Sequence, residues 1–303
     1  MRYLDPKADL TFKKVFGEHP DLLVSLLNAL LPLPEGEAVE ELEYLPAELV
    51  PDNPLKKNSI VDVRCRDNNG RYFIVEMQMI WSPEFRQRVL FNASKAYVRQ
   101  LDKNERYDLL QPVYSLNLVN DVFEPSLPDT FYHHYKLVHL EHTDRVIDGL
   151  QLVFIELPKF TPQTLIEKRM AVLWLRFLTE VDEKTERVSD ELMEDPVVCK
   201  AVEVVEESAY TEAQLLGYEK FWDSVRVEKA IYYGSHEAGW RKGIAEGRAE
   251  GIAEGRAEGI EEGRAEGEKI KSLEIARNLK SLRLPLANIA KATGLSEEEI
   301  ARL

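Results

Sequence analysis

The chain has 303 residues, 44% of them hydrophobic, and a formal net charge of −15; this is enough for a real core and for one domain with an appendage or more than one domain. Two cysteines, Cys65 and Cys199, exclude a disulfide framework and fit a reducing cytoplasm. The opening MRYLDPKADLTFKK has no apolar signal core and no run approaches 18 apolar residues, so neither a signal peptide nor a membrane span is expected.

The negative total argues against a nucleic-acid partner, but the charge is uneven. Residues 180–212 hold 12 acids and 3 bases, whereas residues 56–106 hold 11 bases and 6 acids, a local net of +5. A local positive field matters more to a phosphate backbone than the whole-chain sum.

In chain order, Asp9 to Leu31 carries apolar residues at helical spacing, with Asp9 or Thr11 able to cap its start and Gly17 placed to divide it. Pro32 and Pro34 end that run. Val39 to Val50 reads as a strand with an irregular exit at Pro46. Ile60 to Ile80 (IVDVRCRDNNGRYFIVEMQMI) reads as a β-hairpin. Pro83 sits at the first turn of a helix carrying Phe85, Val89, Ala93 and Ala96 as its stripe. Val113–Val119 reads as a buried strand, Tyr132–Leu140 and Leu150–Leu157 as two more, and Leu165–Leu178 as an apolar helix. Strands mixed with helices predict an α/β fold, one sheet covered by helices.

Residues 180–212 read as a solvated helical surface, and Ala213–Tyr233 as an aromatic-rich helix whose rings pack. From Gly239 to Gly267, eight glycines recur every fourth residue. As a soluble helix this costs about 8 kcal/mol relative to alanine, and the glutamates repeat at like-charge i,i+4 spacing, so a spacer, at most partly helical, is expected rather than a defined interaction surface. Residues 270–303 resemble a helical hairpin or three-helix piece; Ser296-Glu297-Glu298-Glu299 makes a good helix start but a poor DNA-reading one. His133, His134, His139 and His142 are clustered without zinc-site spacing.

The hairpin carries the chemistry. Directly paired residues of antiparallel strands share a face, so Asp62 and Glu76 meet only if paired positions sum to an even number. Asp62 opposite Glu76 requires a three-residue loop, Asn68-Asn69-Gly70, with Gly70 supplying the left-handed residue. That register puts Val61, Val63 and Cys65 with Phe73, Val75, Met77 and Met79, and puts Ile60, Asp62, Arg64 and Arg66 with Tyr72, Ile74, Glu76 and Gln78. Two carboxylates so close repel unless a cation lies between them. Hard oxygen ligands suit Mg²⁺ or Mn²⁺, which activate water against a phosphodiester; Gln78 is able to position that water but not to act as a base. A polar, solvated sheet face is the alternative reading of the same residues.

LDPKADLTFKKVFG, IVDVRCRD…YFIVEMQ and FRQRVLFNASKAYVRQL together resemble the recombination-promoting nuclease / putative transposase family, the transposase-like group of PD-(D/E)xK nucleases. The similarity covers roughly residues 1–160, and the tail IAKATGLSEEEI is similar to tails of that family. The resemblance implies a restriction-endonuclease-like core, a mixed sheet flanked by helices, in which Asp62 and Glu76 bind metal and Gln78 stands where the wider superfamily has Lys. Asp9 matches an acidic residue opening the first helix, as a further ligand or only an N-cap. Arg86, Arg88 and Lys95 on the next helix are candidates for contacting phosphate in place of the missing Lys. The implied organisation is a nuclease-like domain at 1–180, an acidic and aromatic helical region at 181–238, the repeat spacer at 239–268 and a helical tail at 269–303. The implied function is a Mg²⁺-dependent (or Mn²⁺-dependent) DNA endonuclease linked to recombination or mobile elements. The alternatives are a DNA-binding or regulatory relative without chemistry, and an interaction protein forming homo-oligomers through its C-terminal region.

Overall fold

The computed structural model describes residues 2–49, 59–102, 104–162 and 169–303. The first apolar run forms α1 (Asp9–Gly17) and α2 (Pro20–Leu30), divided after Gly17, where Pro20 opens a new helix. Neither Asp9 nor Thr11 caps α1 as expected. The N-cap is Ala8, without a side-chain bond; Asp9 is already in the first turn, and the Thr11 hydroxyl donates to the Asp5 and Ala8 carbonyls. Two short strands follow, β1 (Leu42–Tyr44) and β2 (Glu48–Leu49); Val50, the expected end of this segment, lies outside the described residues.

The predicted first arm of the hairpin is two strands rather than one. β3 (Ser59–Ile60) pairs with β2, and β4 (Val63–Asp67) pairs with β5 (Tyr72–Gln78). A bend at Asp62 separates β3 from β4. The alternation therefore holds from Val63 onward but not across the bend: Val61 packs with Ile74, Ala93 and Val113 instead of with Val63 and Cys65.

After β5 come α3 (Pro83–Val98), with Pro83 in its first turn, and then β6 (Val113–Val119), β7 (Tyr132–His139) and β8 (His142–Glu156). β8 begins eight residues before the expected Leu150; His142–Asp148 is largely exposed and carries no apolar alternation to mark it as a strand. The helices α4 (Arg169–Glu180), α5 (Asp190–Glu194) and α6 (Pro196–Val204) follow; the expected start of α4 at Leu165 lies outside the described residues. The 180–212 region is not merely a solvated surface, since Leu192, Val198, Ala201 and Val202 are buried in the main core. On α5 and α6 the acids Asp190, Glu191, Glu194 and Glu203 are exposed, opposite the buried residues.

Six strands form one mixed sheet in the order β1-β4-β5-β6-β8-β7. β5, β6 and β8 run parallel, while β1, β4 and β7 are antiparallel to their neighbours. The central strand β6 is buried at all seven residues, the pattern of a parallel strand covered on both faces. One face, with Val63, Cys65, Phe73, Val75, Leu116 and Ile155, packs on α1, α2, α4 and α6. On the other, Ile74, Val113 and Phe154 pack under α3. This is a mixed six-stranded sheet flanked by helices, the architecture the resemblance implies, followed by a long C-terminal helix. Among the described residues no helix is long and apolar enough to cross a membrane.

The chain divides into two compact units, residues 1–229 and 230–303. Helix α7 (Glu212–Ser281) begins in the first, where Leu215, Tyr218, Phe221 and Trp222 pack with Leu4, Ala8 and Tyr210. The glycine repeat is helical throughout within α7, beyond the partial helix expected of it. The Ala, Glu and Arg between the glycines are good helix formers, and Lys242–Glu246 and Arg264–Glu268 add i,i+4 ion pairs. In the second unit, α8 (Leu286–Thr293) and α9 (Glu297–Ala301) gather Ala276, Ile289 and Ile300 into a small core. Ser296 and Glu299 form the expected capping box.

Candidate metal centre

The β4–β5 register follows the parity argument. Val63 faces Val75, Arg64 faces Ile74 and Cys65 faces Phe73, so paired positions sum to 138. The loop is Asn68-Asn69-Gly70, closed by the Asp67 N–H donating to the Arg71 carbonyl, with Gly70 at φ +81°. Asp67 holds the turn as well. Its carboxylate accepts the Asn69 and Arg71 N–H groups and pairs with the buried Arg71 guanidinium at 2.7 Å.

Asp62 sits one residue before β4, at the bend, and its Oδ2 accepts the Met77 N–H of β5 at 2.8 Å. The bend thus delivers the carboxylate to the backbone beside Glu76. Glu76 lies on the α3 face of β5 and is buried. Its Oε1 accepts from Asn92 Nδ2 at 3.0 Å and its Oε2 lies 3.6 Å from Arg88 Nη2. Burial raises the pKa of both carboxyls above the ordinary carboxylate range. For Asp62 the Met77 N–H opposes this, then the charge of Lys13, while Asp9 adds to it. For Glu76 the Asn92 bond and the Arg88 charge oppose it, while the Asp62 charge adds to it.

Gln78 is fixed at both ends of its amide. Its Oε1 accepts from Arg88 Nη2 at 2.7 Å, and its Nε2 donates to the Ile80 carbonyl at 2.7 Å. Arg88 therefore bridges Glu76 and Gln78. The other two candidate phosphate contacts lie elsewhere on α3. Arg86 stacks over the Trp81 and Phe123 rings, and Lys95 donates to the Leu49 carbonyl. Asp9 is exposed and pairs with Lys13 at 2.6 Å. Among the described residues, Asp9 does not close with Asp62 and Glu76 into a group whose ligand atoms all lie within 4.8 Å of one another.

Two residues at this centre were not legible as site residues. Asn92, fully buried, stands four residues after Arg88, so both project from one side of α3 toward β5. The signal was an uncharged polar residue inside the Val89–Ala93–Ala96 stripe. Lys13, four residues after Asp9, contributes its charge at Asp62.

The buried Glu76 and the partly buried Asp62 offer carboxylate oxygens, with the Gln78 amide and the Arg88 guanidinium, an anion-binding group, beside them. Carboxylate oxygens of this kind are the hard donors that suit a small divalent ion, so the residues present fit one. No curated protein and no solved structure matches the chain. One family model does match, that of the PD-(D/E)XK nuclease family transposase, over residues 6–229, which spans the sheet, its flanking helices and the start of α7. The chain belongs to the PD-(D/E)XK nuclease family transposases.

Proposed function

We propose that this protein is a DNA endonuclease dependent on Mg²⁺ or Mn²⁺, acting in DNA recombination or on mobile elements. What supports the reading is the 138 register of β4 and β5 with the bend at Asp62, whose carboxylate accepts the Met77 N–H next to Glu76, and the Arg88 guanidinium 3.6 Å from Glu76. Asp62 and Glu76 would hold the ion, and a divalent ion there would acidify a bound water and offset charge on a phosphodiester.

The chain's own groups supply the rest. Asn92 fixes one oxygen of Glu76, whose other oxygen faces Arg88, and the Met77 N–H fixes one oxygen of Asp62. Gln78 cannot take a proton at neutral pH; held between Arg88 and the Ile80 carbonyl, it orients a water or a phosphate oxygen. Arg88, half exposed, is the cation nearest the acids on α3 and takes the place of the family's usual lysine as the group meeting phosphate.

The test is nicking of supercoiled plasmid with Mg²⁺, with Mn²⁺ and with EDTA, comparing wild type with Asp62→Ala and Glu76→Ala. Metal-dependent nicking abolished by either substitution supports the reading. Nicking that survives both removes the site assignment. DNA binding without nicking in wild type would leave a binding relative, a reading that Gln78 in place of Lys favours.

A further inference from the structure

A second group of ligating side chains lies on the β7–β8 hairpin, at residues to which the nuclease reading gives no role. β7 and β8 are joined by the two residues Leu140-Glu141, and His139 is paired directly with His142. Directly paired residues on antiparallel strands project to the same face, so the two imidazoles stand side by side, ring centroids 5.0 Å apart at a tilt of 35°. Glu141, in the turn itself, completes the set. One ligand atom from each of His139, Glu141 and His142 lies within 4.8 Å of the others, and all three side chains are exposed. In sequence the histidines show no zinc pattern, because the spacing His-x-Glu-His converges only through the tight turn.

We propose that His139, Glu141 and His142 form a binding site for a borderline divalent transition ion such as Zn²⁺, Ni²⁺ or Cu²⁺. Two imidazole nitrogens and a carboxylate oxygen are the donors such ions select and Mg²⁺ does not. Three protein ligands leave the fourth tetrahedral position open to water. His139 and His142 pair across the turn, just past a register shift between Val138 and His139. One hydrogen bond is at stake, that from the Glu141 N–H to His139 Nδ1 at 3.2 Å. It is long and solvent-exposed, and it gives way when His139 ligates through Nδ1.

The experiment is Zn²⁺ titration of the full-length protein by calorimetry, carried out in an Asp62→Ala background so that the acid pair on β4 and β5 does not contribute. The expected result is one Zn²⁺ per chain, with affinity reduced by at least about tenfold, or 1.4 kcal/mol, in His142→Ala and in His139→Ala. Glu141→Gln, which keeps both imidazoles, should weaken binding less. Cu²⁺ in the same protein should show nitrogen superhyperfine coupling in its EPR spectrum, lost in the double histidine variant. Circular dichroism should be unchanged throughout, since all three side chains are exposed. Zn²⁺ affinity unaltered by His139→Ala and His142→Ala, or Cu²⁺ without nitrogen coupling, would overturn the proposal.

Discussion

Asn92 of α3 donates to Glu76 of β5 at 3.0 Å with both side chains buried, so a neutral amide on the helix fixes the acid on the sheet. The bond joins the two elements that carry the centre. It also holds down the pKa of a carboxyl that burial raises.

Asn92→Ala should therefore act on metal affinity as well as on stability. Leaving a buried acceptor without its donor costs about 1–3 kcal/mol. A residue that orients a ligand commonly changes metal affinity by roughly 10–100-fold when removed. Denaturant unfolding and Mn²⁺ titration of the variant check the two effects together. Loss of stability with unchanged Mn²⁺ affinity would reduce Asn92 to a packing residue.

The pH dependence follows from the raised carboxyls of Asp62 and Glu76. A carboxyl whose pKa is higher folded than unfolded favours the folded state at low pH. That contribution is fully present below the ordinary carboxylate pKa, about 4, and is lost as pH rises through the raised folded values. In metal-free protein, Glu76→Gln removes the burden of an ionised buried acid. The variant should melt a few degrees above wild type at pH 7, with the gap closing toward pH 4. Equal melting temperatures at pH 7 would mean that Arg88 and Asn92 already offset the burial.

Gly70 sets the loop that sets the register. At φ +81° a side chain is strained, and an added Cβ would lie 3.3 Å from Gln111 Cγ. Gly70→Ala should cost about 1–2 kcal/mol, and Gly70→Asn less, because asparagine tolerates the left-handed region. Urea midpoints for the two variants give the comparison; equal tolerance of Ala and Asn would contradict it.

Arg88 joins Glu76 to Gln78 from an exposed position on α3. Arg88→Ala should weaken plasmid binding at low salt and reduce the salt slope by about one, while leaving the folded state nearly as stable. Arg86→Ala, whose guanidinium stacks over Trp81 and Phe123, should leave the slope as it is. Equal salt slopes for the Arg88 variant and wild type would remove Arg88 from the phosphate contact.

The sheet was legible where period-two alternation is strict, in β4 and β5, and where an unbroken apolar run marks a doubly covered strand, in β6. It was not legible at Val61, because a bend one residue later reverses the alternation and no local residue type announces it. The acidic α5–α6 region hid its buried face behind charge, and the first half of β8 is an exposed hairpin arm that strand patterns do not mark. At the centre, parity was enough for the β4–β5 register from Val63 onward, because register is discrete: one residue of slip moves a side chain to the other face. The position of Asp62 depends in addition on the bend, across which the alternation breaks. Which of three cations on α3 reaches the acids depends on helix rotation. Arg88 and Lys95 differ by seven residues on nearly one side, yet Lys95 is drawn to the Leu49 carbonyl of β2.

The most direct measurement is Mn²⁺ binding, by calorimetry, to wild type, Asp62→Ala and Glu76→Ala. If the two carboxylates form one cation site, wild type takes up Mn²⁺ at this centre and each single substitution abolishes the same binding event. Binding that persists in either variant would show that Asp62 and Glu76 do not share an ion.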